Sequence, residues 1–191
     1  KENASIALIV QATDLRLISR KVKLPIFAQH LDPVKPGSNT GLILPEAVKQ
    51  AGAVGTILNH AENKRDNEFL QKAIARAKEV GLEVLVCAES IERAKQIAAF
   101  PLKPDFIAVE PPELIGGDIS VSTANPEIIK GTVQAVQGLA LIPVLAGAGV
   151  KTGIDVRKSI ELGAAGVLLA SGVVKAPKPK KALLGLVKGL K

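Results

Sequence analysis

Seven short apolar runs, none of which alternates between apolar and polar side chains, limit most strongly how this chain can fold. They fall at residues 6–10, 25–29, 54–58, 84–87, 106–109, 142–145 and 165–169. A strand with one face in water alternates, whereas a strand apolar throughout is covered on both faces. Helix-like patterns separate the runs, so the chain reads as successive βα units around a parallel sheet, an α/β fold. Seven strands in an open array leave two unpaired edges. Closure into a (β/α)8 barrel removes them, while an open doubly wound sheet is the alternative that fits the same pattern.

Helix punctuation supports this reading. In Leu44-Pro45-Glu46-Ala47-Val48, Pro45 suits a first helical position, and Gly52 closes the segment. Between residues 67 and 81, Phe69, Leu70, Ala73, Ile74 and Ala77 recur at helical spacing and form one apolar stripe. Asn125-Pro126 opens a helix with the stripe Ile128, Ile129 and Val133, and Gly163 stops the helix containing Val156 and Ile160. A final helix would use Leu183, Leu184 and Val187. No linker or shift in composition divides the chain, so residues 1–191 are expected to form one barrel domain.

Composition narrows the function classes. Apolar residues make up 47% of the chain and charged residues 23%, as in a soluble globular protein. No run is long enough for a membrane span, and Lys1-Glu2-Asn3 does not resemble a signal peptide, so a cytoplasmic location is expected. The net charge of +7 invites an anionic partner. Lys175, Lys178, Lys180 and Lys181, interleaved with Pro177 and Pro179, place much of the excess in one solvated turn. Four Phe with no Tyr or Trp leave few stacking platforms, which argues against nucleic acid. The lone Cys87, inside an apolar run, is expected to be an inert buried thiol.

Parallel α/β folds gather function at the C-terminal ends of their strands, so the residue types just after each run carry the argument. His60 follows the third run, just before an expected helix N-terminus that would keep its ring neutral and able to donate a hydrogen bond to a carbonyl. Glu110 follows the fifth run and leads into Pro111-Pro112-Glu113-Leu114-Ile115-Gly116-Gly117-Asp118, stiff at its base and free at its tip, as in a hinged lid. Ala146-Gly147-Ala148-Gly149 and Ala170-Ser171-Gly172 follow the last two runs, where small residues let main-chain N–H groups cradle a phosphate. A neutral histidine, a carboxylate, a lid and a phosphate cradle together point to proton transfer beside a carbonyl on a small phosphorylated substrate.

These residues resemble the archaeal triosephosphate isomerase family. The resemblance rests on Phe27-Ala28-Gln29-His30-Leu31-Asp32-Pro33, Pro36-Gly37-Ser38-Asn39-Thr40-Gly41, Leu58-Asn59-His60, Val109-Glu110-Pro111-Pro112-Glu113-Leu114-Ile115-Gly116 and Gly147-Ala148-Gly149-Val150-Lys151-Thr152-Gly153, in order along nearly the whole chain. It implies a cofactor-free and metal-free glycolytic and gluconeogenic isomerase with Glu110 as base, His60 as electrophile, and Ile115, Gly116, Gly149, Ala170 and Ser171 holding substrate or phosphate. It further implies a homo-oligomer, dimer or tetramer, in which Thr40 reaches a neighbouring subunit. Two departures accompany it. No Asn-x-Lys sequence occurs, although the family's first strand ends in one, so the seven runs are expected to be strands two to eight, with the first βα unit absent. Ala61 stands where a serine usually follows the histidine. Loss of a fixed charge beside an oxyanion costs about 10²- to 10³-fold in rate. A noncatalytic truncated or designed barrel that binds phosphorylated ligands is therefore the second expectation, and the absence of Met, Tyr and Trp fits it. Another phosphosugar barrel enzyme is the third, although His30 and His60 alone supply little for a histidine-rich metal site.

Overall fold

The computed structural model describes residues 4–117 and 119–190, so the readings placed on Lys1-Glu2-Asn3 and Asp118 lie outside the described residues. Contacts divide the chain into two compact units. One is Ser5–Val86 with Phe100–Asp105, and the other is built mainly from Cys87–Ala99 and Phe106–Lys191.

In the first unit, β1 (Leu8–Val10), α1 (Leu15–Lys21), β2 (Ile26–Ala28), α2 (Pro45–Gln50), β3 (Gly55–Leu58) and α3 (Asn67–Glu79) alternate before β4 (Glu83–Ala88), whose last two residues pass into the second unit. The strands pair in parallel and in chain order, with Leu8 opposite Ile26, Phe27 opposite Gly55 and Gly55 opposite Glu83. Each lies inside or across a run named above, and β1 is shortened to three residues. The α3 stripe is realised: Leu70, Ala73, Ile74 and Ala77 are fully buried, and the Asp66 carboxylate caps the helix by accepting from the Phe69 N–H at 2.8 Å. Burying each Leu or Ile contributes roughly 1.5–3 kcal/mol, while a cap is worth about 1 kcal/mol, so the stripe decides that the helix forms and the cap decides where. Arg76, on the same helix, ties three segments together through Glu46, Glu79 and the Val34 carbonyl.

The second unit takes up the end of β4 and continues through α4 (Ile91–Ala98), β5 (Phe106–Val109), a 3-10 turn at Pro112–Leu114, α5 (Val121–Ala124) and α6 (Pro126–Gln137). Then follow β6 (Val144–Ala146), α7 (Gly153–Glu161), β7 (Gly166–Val167), α8 (Ser171–Val174), α9 (Pro179–Val187) and a 3-10 turn at Lys188–Leu190. Here too pairing is parallel and sequential, with Ile107 opposite Val144 and Leu145 opposite Gly166. A capping box between Thr152 and Asp155 starts α7. The last helix departs from its expected stripe. Leu186 is buried while Leu184 is half exposed, because α9 meets α7 through glycines: a Cβ on Gly153 would lie 2.6 Å from the Gly185 carbonyl oxygen. Close backbone approach, rather than the leucine pattern, sets the rotation of that helix, and Leu186 joins Val150 and Val156 in a small core.

Candidate active site

His60 belongs to the first unit. The chain leaves β3 at Leu58 and reverses at Asn59, whose φ of 61° lies in the left-handed region that asparagine tolerates better than most side chains. The Asn59 Oδ1 accepts from the Arg65 N–H at 2.8 Å, and the Asn63 N–H closes the turn on the His60 carbonyl at 2.7 Å. His60 is thereby set at the strand's C-terminal end with its side chain 27% exposed. The Glu62 N–H points at His60 Nδ1, 3.3 Å away, a contact that needs the lone pair of Nδ1 and so assigns the ring proton of the neutral form to Nε2. The Glu62 carboxylate, 85% exposed, lies 3.5 Å from the same nitrogen. α3 begins only at Asn67, so a turn amide, and not a helix N-terminus, meets the imidazole.

Glu110 belongs to the second unit and is only 6% exposed. Its N–H donates to the Ala88 carbonyl at 2.9 Å, which continues strand pairing one residue past β5. The Cys87 thiol donates to Glu110 Oε2 at 3.0 Å. On the other side lies the main chain of Gly147, where an added Cβ would sit 2.5 Å from Oε1 and 2.7 Å from Cδ. Gly147 is outside the left-handed region, so the glycine is required by the carboxylate's position and not by φ. Burial, and after it the charge and hydrogen bond of Glu110, push the Cys87 thiol well above its ordinary pKa, which keeps the S–H in place as a donor.

Beyond Glu110 the lid run is partly ordered by its own backbone. Leu114 donates to Pro111 at 3.0 Å, Ile115 to Pro112 at 3.2 Å and Gly117 to Leu114 at 3.1 Å, while Gly116 takes φ 72° at the exposed tip. The segment reattaches where the Val121 N–H donates to the Ala148 carbonyl at 3.2 Å. At Gly149, with φ 70°, a Cβ would fall 2.8 Å from Ser120 Cα. A cavity of about 300 Å³ is lined by Gly116, Lys151, Ser171, Gly172, Lys175 and Ala176. Gly116 and Ser171, expected to meet one phosphate, thus face one space. Ile115, Gly149 and Ala170 are their chain neighbours or lie in the adjoining turn without lining it.

A family model described as triosephosphate isomerase matches residues 1–188. The chain belongs to the triosephosphate isomerase family. It is 48% identical to the triosephosphate isomerase of Methanocaldococcus jannaschii over 185 residues, covering 96% of this chain and 84% of that protein. The triosephosphate isomerase of Methanobacterium bryantii is 48% identical over 178 residues, 93% of this chain and 78% of the relative, and that of Methanosarcina acetivorans is 44% identical over 184 residues, 96% and 82%. Family membership accounts for the parallel βα repeats as those of a (β/α)8 barrel, of which seven strands are seen among the described residues.

Within that family frame, sequence reasoning missed several contributors. Cys87 was read only as an inert thiol, yet its S–H touches the candidate base. Gly147 was read as part of a phosphate turn, and nothing in the sequence signals that a carboxylate occupies the volume of its missing side chain. Lys175 is read from sequence as part of a solvated turn and Lys151 only as part of the motif at residues 147–153, although both line the cavity. Among the described residues no group of three or more His, Cys, Asp and Glu side chains could hold a metal ion, and no helix is long and apolar enough to cross a membrane.

Proposed function

We propose that the chain interconverts dihydroxyacetone phosphate and glyceraldehyde 3-phosphate, with Glu110 shuttling a proton between the two carbons and His60 polarising the carbonyl. The reading is carried by one observation above the rest: a buried carboxylate at the end of β5, held between the Cys87 thiol and the Gly147 main chain, leads directly into a lid whose tip lines a cavity with Ser171. Glu110 takes a proton from the carbon next to the carbonyl and returns it to the neighbouring carbon, so no oxidant, cofactor or metal is called for. His60, neutral with its proton on Nε2, donates to the carbonyl oxygen as it gains charge. Triosephosphate isomerase is itself the standard worked case of this carboxylate and neutral-imidazole pairing. The phosphate is met by Ile115 and Gly116 of the lid and by Gly149, Ala170 and Ser171. Closing the lid keeps water from the enediolate, which could otherwise eliminate phosphate.

In this reading residues 1–191 act as one barrel domain in the cytoplasm and as a homo-oligomer, dimer or tetramer. Thr40 is the interface residue, exposed on a loop whose base is stapled by mutual hydrogen bonds between Asp32 and Ile43. A second reading, a barrel that binds phosphorylated ligands without turning them over, is favoured by Ala61, which directly follows His60 where the family resemblance implies a serine. Isomerisation of dihydroxyacetone phosphate by the chain and by Glu110→Gln, together with calorimetric binding of a phosphate-bearing substrate analogue, separates the two. Turnover lost in Glu110→Gln with analogue affinity retained supports the isomerase. Equal turnover by both proteins removes Glu110 as base, and analogue binding without turnover by either supports the second reading.

A further inference from the structure

The cavity carries more charge than a cradle of neutral amides needs. Two of its six lining residues are lysines, and they reach it from different segments: Lys151 from the turn between β6 and α7, Lys175 from the end of α8. Both are rooted by contacts of their main chains. The Lys151 N–H donates to Asp155 Oδ2 at 3.1 Å, and a Cβ on Gly172 would stand 3.2 Å from Lys151 Cα. The Lys175 N–H donates to the Ser171 carbonyl at 3.1 Å. Fixed backbones thus bring both lysines to the lining of a space that they share with Gly116 of the lid tip and with Ser171. At about 300 Å³ the space exceeds a phosphoryl group.

We propose that Lys151 and Lys175 form a cationic wall that captures the phosphoryl dianion of the substrate, adding side-chain charge to the amide cradle. The inference rests on the isomerase reading for the identity of the substrate, while the anion-binding chemistry stands on the cavity alone. Backbone dipoles act within hydrogen-bonding distance, whereas a full charge is felt out to about the 10 Å Debye length at 0.1 M salt, so the lysines supply capture and the amides supply geometry. Lysine suits this division. Its ammonium is a point charge with three rotatable donors, and it follows the phosphate as the lid moves instead of fixing it. Lys178, Lys180 and Lys181, nearby in sequence and exposed as Lys175 is, but outside the cavity wall, are the natural comparison.

The test uses Lys151→Gln, Lys175→Gln, the double variant and Lys180→Gln, measuring kcat and KM for glyceraldehyde 3-phosphate at low and at high ionic strength. Inorganic phosphate binding is measured on the same proteins by calorimetry. Discounted for partial exposure, each cavity substitution is expected to raise KM by about three- to tenfold with kcat within about twofold, and the double variant by more. The decline of kcat/KM with salt should be shallower in the double variant than in the parent, phosphate affinity should fall in parallel with the rise in KM, and Lys180→Gln should match the parent. A double variant whose KM and phosphate affinity both stay within twofold of the parent overturns the wall. Lysine-dependent phosphate binding in a chain without turnover upholds the wall and rejects the isomerase. Glu110-dependent turnover indifferent to both lysines does the reverse.

Discussion

Replacing Gly147 by alanine tests whether the position of Glu110, rather than its presence, carries the rate. The added Cβ would stand 2.3 Å from Glu110 Cγ, 2.5 Å from Oε1 and 2.7 Å from Cδ, against about 3.4 Å for ordinary contact, so the side chain must retreat by about 0.7 to 1.1 Å. It is poorly placed to do so. The side chain is 6% exposed, the Cys87 thiol holds Oε2, and the backbone is pinned to Ala88. A misplacement of about 1 Å in a reacting group costs on the order of 10²-fold in rate, equivalent to about 2.7 kcal/mol of barrier, so kcat should fall by about that factor. Overpacking a filled site costs about 1–3 kcal/mol of stability, which a thermal melt will register as a lowered Tm. Gly147 is not in the left-handed region, so alanine brings no backbone penalty that could confuse the reading. Gly185→Ala, where the new Cβ meets open space, is the control. The assay is coupled isomerisation of dihydroxyacetone phosphate with the melt recorded on the same samples. A Gly147→Ala protein with kcat within about threefold of the parent and an unchanged Tm would refute both the packing of the carboxylate on Gly147 and its use as the base.

Two further outcomes are expected. Cys87→Ala should cost about 1 kcal/mol for the lost thiol hydrogen bond. Because burial raises the thiol's pKa in the folded state, its contribution is fully present below the unfolded thiol's pKa of about 8.5 and is lost as pH rises toward the folded value, at up to about 1.4 kcal/mol per pH unit. Denaturant melts should therefore show a steeper alkaline loss in the parent than in Cys87→Ala, and equal slopes would remove the buried thiol from the account. Thr40→Arg, which puts a charge where a subunit contact is proposed, should raise the subunit dissociation constant at least about tenfold by sedimentation, and an unchanged profile would place the contact elsewhere.

The strands were legible because burial on both faces writes continuous apolarity into the sequence, and each of the seven runs holds a strand. Helices announced by a stripe together with a cap, such as α3 with Asp66 and Leu70, were legible for the same reason. α9 was not, because its orientation is decided by contacts between Gly153, Gly185 and Gly189, and a glycine records the absence of a side chain without naming its neighbour. His60 and Glu110 could be read from their places at strand ends. The groups that touch them could not: the Glu62 amide depends on a left-handed turn at Asn59, and the Cys87 thiol reaches Glu110 across 23 positions of sequence.

The two halves of the chemistry call on different physics, and that division explains where substitutions should act. Glu110 is held by short-range packing and hydrogen bonding, from Gly147, Cys87 and the strand pairing to Ala88, forces that fall away within an ångström or so of misfit. On the proposed phosphate side, the main-chain dipoles of small-residue turns and the charges of the two lysines lining the cavity would act through fields that weaken gradually with distance. A small displacement on the first side therefore removes alignment that matters only at the transition state and appears in kcat, whereas neutralising a charge on the second side weakens ground state and transition state alike and appears in KM. Gly147→Ala and Lys151→Gln should for that reason move different kinetic constants, and their free-energy effects should add in the combined variant, because they act on separate contacts. Strong non-additivity would mean that the carboxylate and the cationic wall respond to one shared movement of the turn between β6 and α7.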